Sequence, residues 1–128
     1  MIFRLPTERS NLACAVIQDD QSDHSIVISA CGTGASGPET VVEKWDLTTW
    51  ETSILPYTCP SGVDFFDSAW PISDHEIIFT TGSGTSQASE GIWSFTLEFG
   101  FRKIDHWPNG RTGAGSALLS KDYVECKY

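Results

Sequence analysis

Apolar and polar side chains alternate along short stretches of this chain, and such alternation is typical of β-strands with one buried face. The clearest case is VVEKWD at 41–46, after which a polar turn, DLTT at 46–49, leads to Trp50 and the next predicted strand. The pattern predicts strands at 12–17, 25–31, 41–46 and 50–55 in the first half of the chain. It predicts further strands at 65–70, 76–81, 92–97 and 101–106. We therefore expect an all-β protein.

The predicted strands form a repeating unit of about 50 residues. HSIVISACG at 24–32 returns as HEIIFTTGSG at 75–84, and VVEKWDL at 41–47 returns as GIWSFTL at 91–97. RSNLACAVI at 9–17 returns two units later as RTGAGSALL at 111–119. A third unit stops after YVECK at 123–127, and IFRLP at 2–6 matches the end of a fourth strand. Four-stranded units of this length are typical of β-propeller blades.

One stretch, IVISACG followed by TVVEKWDLTTW, resembles a kelch repeat. A kelch blade has an apolar strand ending in two glycines, then a strand with Val, Glu, an aromatic residue and Asp, and then a tryptophan after a turn. The residues that match in the first unit are Gly32, Glu43, Trp45, Asp46 and Trp50, with Trp45 where tyrosine is usual. The second unit offers Gly82, Trp93 and Phe95, with Thr96 in place of the aspartate and Phe101 in place of the tryptophan. The first of the two glycines is replaced in both units, by Cys31 and by Thr81.

This resemblance implies kelch-type β-propeller blades of four antiparallel strands, in a partial propeller of about 2.5–3 blades per chain. Residues 1–128 are then a single kelch-like domain, with a strand remnant at 2–6, blade one at 9–56, blade two at 63–108 and a half-blade at 111–128. In this arrangement Trp45 packs between neighbouring blades, and Trp50 opens the fourth strand and is buried at the outer edge of its own blade.

A partial ring leaves blade faces and strand edges without neighbours, so we expect another chain to cover them. The partner is expected to be a second copy, in a homodimer or higher homo-oligomer, or another kelch-like chain. In the dimer, the strand at 2–6 of one copy completes the half-blade of the other. Alternatively, the chain is a fragment of a larger propeller.

Kelch propellers mostly present loops to protein partners, so the resemblance implies a non-enzymatic binding module. The candidate loops are GTGASGPET at 32–40 and GSGTSQASE at 82–90. The alternative function is a carrier of a small ligand or pigment, in which Trp45, Trp70, Trp93 and Phe95 line an aromatic pocket between blades or between chains. The favoured interpretation of these four residues is packing within blades. No cofactor is predicted, although a bound small apolar ligand is compatible with the pattern.

The amino-acid composition supports the β assignment and disfavours two classes of partner. Seven Phe, five Trp and three Tyr give an aromatic share of 12%, and aromatic residues favour strands. The net charge of −9 disfavours nucleic acid and anionic membranes as partners. No apolar run is long enough for a membrane span, and the first ten residues lack the features of a signal peptide.

The four cysteines, Cys14, Cys31, Cys59 and Cys126, lie far apart and lack zinc-ligand spacing. Three disulfide pairings are open, as are buried free thiols, so extracellular and cytoplasmic locations both stay open.

We identify no catalytic and no metal-binding residues. His24 and His75 occupy one repeat position, as structural turn residues do, and the acidic residues Asp19, Asp20 and Asp23 are expected in a solvated turn. The glycine-rich segments lack the lysine and the following helix of a phosphate site. Arg9 and Arg111 are expected to pair with Glu43 or Glu90 within a blade, with binding of a partner carboxylate as the alternative.

Overall fold

The computed structural model describes residues 12–84 and 91–106, and this part of the chain is built from β-strands and turns with no helix. The all-β prediction is confirmed. The strands are β1 Ala13–Gln18, β2 Ser25–Ala30, β3 Thr33–Gly34, β4 Gly37–Pro38, β5 Val41–Asp46, β6 Thr52–Thr58, β7 Val63–Pro71, β8 Glu76–Gly84, β9 Gly91–Thr96 and β10 Gly100–His106. Within the described ranges, no helix has the length and apolar composition needed to cross a membrane.

Eight of these strands form two antiparallel sheets. Sheet one has the order β1-β2-β5-β6, and sheet two has the order β7-β8-β9-β10, so neighbours in the chain are neighbours in each sheet apart from one insertion. The insertion is the β3–β4 hairpin, which lies within the predicted loop at 32–40. Each sheet is therefore a meander, in which strands that follow one another in the sheet also follow one another along the chain, apart from the β3–β4 hairpin.

The two sheets carry equivalent residues at equivalent places. Trp45 of β5 lies between Val27 of β2 and Thr52 of β6. Fifty residues later, Phe95 of β9 lies between Ile77 of β8 and Phe101 of β10. The two halves of the described chain, which repeat in sequence, thus have the same strand order.

One face of each sheet contributes to a common hydrophobic core. Alternate residues of β1 and β2 point to this face in sheet one, and Ile77, Phe79 and Phe95 do so in sheet two. The Phe79 and Phe95 rings meet edge to face, with centroids 6.4 Å apart. The buried members of the core are Ala13, Ala15, Ile17, Ile26, Ile28, Ala30, Cys31, Val42, Cys59, Val63, Phe66, Ile77, Phe79 and Phe95.

Backbone hydrogen bonds join the two sheets, and a disulfide joins two segments of sheet one. The backbone N–H of Gln18 donates to the carbonyl of Asp74 at 2.6 Å, and the N–H of Gly32 donates to the carbonyl of Asp64 at 3.1 Å. A disulfide joins Cys31, just after β2, to Cys59, just after β6. Of the pairings left open by the sequence, this is the one formed among the described residues, and Cys14 is an exposed free thiol.

The expectation that Trp50 is buried and opens the fourth strand is wrong. Trp50 has a left-handed backbone with φ of 64°, so it prolongs the turn after β5, and β6 begins at Thr52. Its side chain is 49% exposed. The equivalent place in the second sheet is taken by Gly100, whose φ is 73°. The turn geometry is therefore shared, and it directs the Trp50 side chain away from the core.

Several predictions fall on residues outside the described ranges. They concern the strand remnant at 2–6 and the half-blade at 111–128. The predicted pairing of Arg9 and Arg111 with Glu43 or Glu90 also stays a prediction, since among these residues only Glu43 is described.

Candidate ligand-binding groove

A cavity of about 540 Å³ opens where the end of sheet one meets the β9–β10 hairpin of sheet two; we call it the aromatic pocket. Sheet one contributes the end of β6 and the segment after it, and sheet two contributes β9, β10 and the turn between them. The lining residues are Pro56, Tyr57, Thr58, Cys59, Pro60, Ser61, Trp93, Phe99 and Phe101. None of these side chains carries a charge.

Tyr57 is held rigidly at the junction of the two sheets. Its hydroxyl donates to the carbonyl of Leu97 and lies 3.0 Å from the carbonyl of Glu98, both in the turn after β9. Its ring meets the Phe95 ring edge to face, with centroids 5.8 Å apart. Because both its ring and its hydroxyl contact sheet two, Tyr57 keeps one wall of the aromatic pocket in place.

Phe101 provides a packed floor, Phe99 is exposed, and Trp93 is half-buried and packs against the core. Phe101 lies 5.0 Å from Phe95 between ring centroids and 5.3 Å from Phe79. Phe99, at the tip of the turn, is 72% exposed. Neither Phe99 nor Trp93 stacks on another aromatic ring of the described chain, and the buried Nε1 of Trp93 has no acceptor there. The pocket thus combines a rigid base with aromatic surface that the protein does not itself use for stacking.

A second cavity of about 560 Å³, the acidic cleft, adjoins the first and shares Pro56 and Tyr57 with it. The acidic cleft lies between the β1–β2 turn, β5, β6 and the turn after β9. Its remaining lining residues are Asp19, Asp20, Gln21, Ser22, His24, Lys44, Asp46, Leu55, Leu97 and Glu98. The two cavities adjoin at Pro56 and Tyr57, and we call them together the groove, with an uncharged aromatic half and a charged half.

Two ion pairs organise the charged half. Lys44 Nζ donates to Asp19 Oδ2 at 2.9 Å, and His24 Nδ1 lies 2.8 Å from Asp46 Oδ2. The hydrogen bond with His24 and those from the Thr49 and Thr48 N–H groups lower the pKa of Asp46 to about 2. The pKa of Asp19 is also lowered, first by the N–H of Gln21 and then by Lys44. Both carboxylates are therefore ionised at neutral pH.

The groove keeps a net negative charge after these pairs are formed. Asp20 at its rim contacts His75, with 3.0 Å between Oδ1 and Nδ1. Glu98 is exposed, and its carboxylate has no ion-pair partner among the described residues. Four carboxylates line the acidic cleft, against the single ammonium of Lys44 and the imidazole of His24. The cleft consequently stays negative even when His24 is protonated.

Of the four aromatic residues predicted to line a pocket, Trp93 lines the aromatic pocket, whereas Trp45, Trp70 and Phe95 do not line the groove. Phe95 is fully buried beneath the pocket and belongs to the core. Trp45 and Trp70 are half-buried on the sheet faces that point away from the core, and neither lines the groove. Phe95 therefore serves packing of the core.

Asp20 and Asp23 are exposed in the turn between β1 and β2, as predicted, whereas Asp19 is only 7% exposed. The predicted structural role of His24 agrees with its contact to Asp46, since this contact ties the start of β2 to the end of β5.

Sequence patterns missed Tyr57, Phe99 and Glu98 as groove residues. No local signal marks Tyr57, because its partners lie about 40 residues further along the chain.

In the described ranges, no group of three or more His, Cys, Asp or Glu side chains is arranged to hold a metal ion.

A scan against models of known protein families found no match to this chain, and a search among curated protein sequences found no significant similarity. The candidate site is therefore defined by its geometry: an aromatic pocket joined to an acidic cleft, at the seam between two antiparallel sheets.

Proposed function

We propose that this protein is a non-enzymatic, kelch-like binding module that completes a β-propeller by self-association. The support comes from two equivalent four-stranded meanders that share one core, as neighbouring blades of a propeller do. In such a ring every blade packs on both faces. Each end of a partial ring therefore requires another chain.

The observation that carries this proposal is the apolar surface on the outward face of sheet one. Val16 and Ile54 point away from the core and are 47% and 60% exposed. Val27 and Trp45, which are half-buried, lie beside Val16 in one row across β1, β2 and β5. Ser29 and Glu43 of the same face are buried, so the exposed apolar surface lies on the edge strands β1 and β6, and such surface supports association with another chain.

Sheet two offers a corresponding outward surface. Trp70 and Ile78 are direct neighbours on β7 and β8, opposite the face that carries Phe79, and both are half-buried. A second copy that places this face on Val16 and Ile54 of the first would repeat the packing already present between the two sheets.

Sedimentation equilibrium over a range of concentrations tests self-association directly. We expect a dimer or larger species, compared with 14.1 kDa for one chain. Ile54→Glu should shift the equilibrium toward monomer, because it places a charge in an apolar contact. Ile104→Glu, at a position 48% exposed on β10, is the matched control and should not. A parent protein that stays monomeric at all concentrations would contradict the proposal.

The aromatic pocket favours a second candidate function, a carrier of a small ligand. Its volume of about 540 Å³ lies within the range typical of ligand sites, roughly 300–1,000 Å³. Trp93, one of the residues proposed from sequence for this role, lines it together with Tyr57 and Phe99. Native mass spectrometry of protein from its natural source tests this function. A retained small molecule supports it, and a mass equal to that of the polypeptide alone counts against it.

A further inference from the structure

We propose that the groove binds a small organic cation with a flat apolar body, whose body enters the aromatic pocket and whose ammonium group faces the acidic cleft. This inference rests on the ligand-carrier function and adds the chemical class of the ligand. It depends on the shape of the aromatic half, the charge of the other half, and the wall that they share.

The aromatic half fits a planar apolar group. The rings of Trp93 and Phe99 do not stack on other aromatic rings of the described chain, whereas Phe101 is fixed by contacts with Phe95 and Phe79. A flat ligand placed between them gains ring contacts without displacing any existing stack. The two prolines of the lining, Pro56 and Pro60, add rigid apolar surface.

The acidic cleft determines whether the charge on the ligand is positive or negative. No charged side chain lines the aromatic pocket, so a ligand charge is best placed toward the acidic cleft. There the exposed carboxylate of Glu98 has no ion-pair partner in the described chain, and Asp19 and Asp46 are held ionised. An anionic ligand would meet these carboxylates and the net charge of −9. A cation is attracted by both the carboxylates and the ring faces.

Tyr57 places the two halves at a fixed separation. It lines both cavities, and its hydroxyl is held by the carbonyl of Leu97 next to Glu98. A ligand lying against the Tyr57 ring therefore has its apolar body on the side of the aromatic pocket and its charged group on the side of the acidic cleft. A preorganised wall of this kind lowers the entropy cost of binding.

The test compares three probes of similar shape by isothermal titration calorimetry: 2-phenylethylammonium, neutral 2-phenylethanol and anionic 3-phenylpropionate. We expect the cation to bind about tenfold or more tightly than the alcohol, and the anion more weakly than either. Added salt should weaken binding of the cation and leave that of the alcohol nearly unchanged.

Two exposed side chains allow variants with little risk to folding. Glu98→Gln should remove most of the preference for the cation over the alcohol, and Phe99→Ala should weaken both probes. The matched controls are Glu51→Gln and Ile104→Ala, which alter exposed residues outside the groove and should bind as the parent does. Thermal unfolding of every variant verifies that the fold is intact.

The outcomes separate this inference from the function on which it rests. Equal affinity for the cation and the alcohol overturns the charge preference and leaves the carrier function standing. Binding of none of the three probes at millimolar concentration overturns both. A peptide with adjacent Phe and Lys that binds far more tightly than 2-phenylethylammonium assigns the groove to a protein segment, and this also overturns the inference.

Discussion

Gly100 lies directly against the ring of Tyr57, so that a Cβ atom at Gly100 would come within 2.5 Å of Tyr57 Cδ1. The contact joins the first residue of β10 to β6 of the other sheet. Gly100 also has a φ of 73°, where a side chain is strained regardless of space. One glycine thus permits both the turn and the close approach of the two sheets.

Gly100→Ala is expected to lower the free energy of unfolding by about 2–4 kcal/mol, since left-handed strain and overpacking add. Gly37→Ala is the matched control, because Gly37 has a φ of 120° but nothing lies within 4 Å of the position of an added Cβ. Its cost should be limited to backbone strain. Chemical denaturation measures both, and equal losses would show that the Tyr57 contact is unimportant.

The Cys31–Cys59 disulfide should contribute about 3.5 kcal/mol to the free energy of unfolding, because the cysteines are 28 residues apart and the cross-link restricts the unfolded chain. Reductant should lower the midpoint of denaturation of the parent by a corresponding amount. The double variant Cys31→Ala/Cys59→Ala should already be destabilised and should not respond to reductant. A parent that is insensitive to reductant under denaturing conditions would contradict the bond.

Asp46 should make the fold sensitive to acid. Its pKa is about 2, below the ordinary value of 3.8, so its charge stabilises the folded state above about pH 4. This stabilisation should disappear as the pH falls from about 4 toward 2. Asp46→Asn keeps an oxygen for the Thr48 and Thr49 N–H groups but loses the charge, so its free energy of unfolding should fall less over that range.

Urea denaturation at pH 5 and at pH 2.5 measures this difference. Glu51→Gln removes a nearby exposed carboxylate and is the control for the change in net charge. If Asp46→Asn and the parent lose equal stability on acidification, the contact between His24 and Asp46 does not carry the effect.

Truncation to alanine should lower the free energy of unfolding much more at Phe95 than at Trp50. Phe95 is fully buried between Tyr57, Phe79 and Phe101, so Phe95→Ala should cost about 3–5 kcal/mol of unfolding free energy. Trp50 is half exposed in a turn, so Trp50→Ala should cost at most about 1 kcal/mol. Thermal denaturation compares the two. A large loss for Trp50→Ala at high protein concentration alone would place Trp50 in an interface between copies.

The local pattern of the sequence was sufficient to predict most strands. Val41–Asp46 was predicted with its observed bounds, because its alternating side chains place Val42 on the core face and Trp45 on the other. The 50-residue offset between Trp45 and Phe95 likewise predicted that both halves would have the same strand order. These features depend on residues that are close in the chain, or on repetition.

Long-range contacts decided the rest. Alternation shows which side chains share a face, but not which face another sheet covers, so the burial of Phe95 and the outward position of Trp45 were not predictable from it. In the same way, the left-handed backbone of Trp50 is a property of the turn that no apolar pattern records.

The sequence by itself determined an all-β chain with a repeated four-stranded unit, because alternation and turn residues act over a few positions. Only the tertiary structure decided the groove. Tyr57 and Glu98 are brought together by packing between residues about 40 positions apart. The same packing pairs Cys31 with Cys59, because a fold selects contacts by proximity in space rather than along the chain.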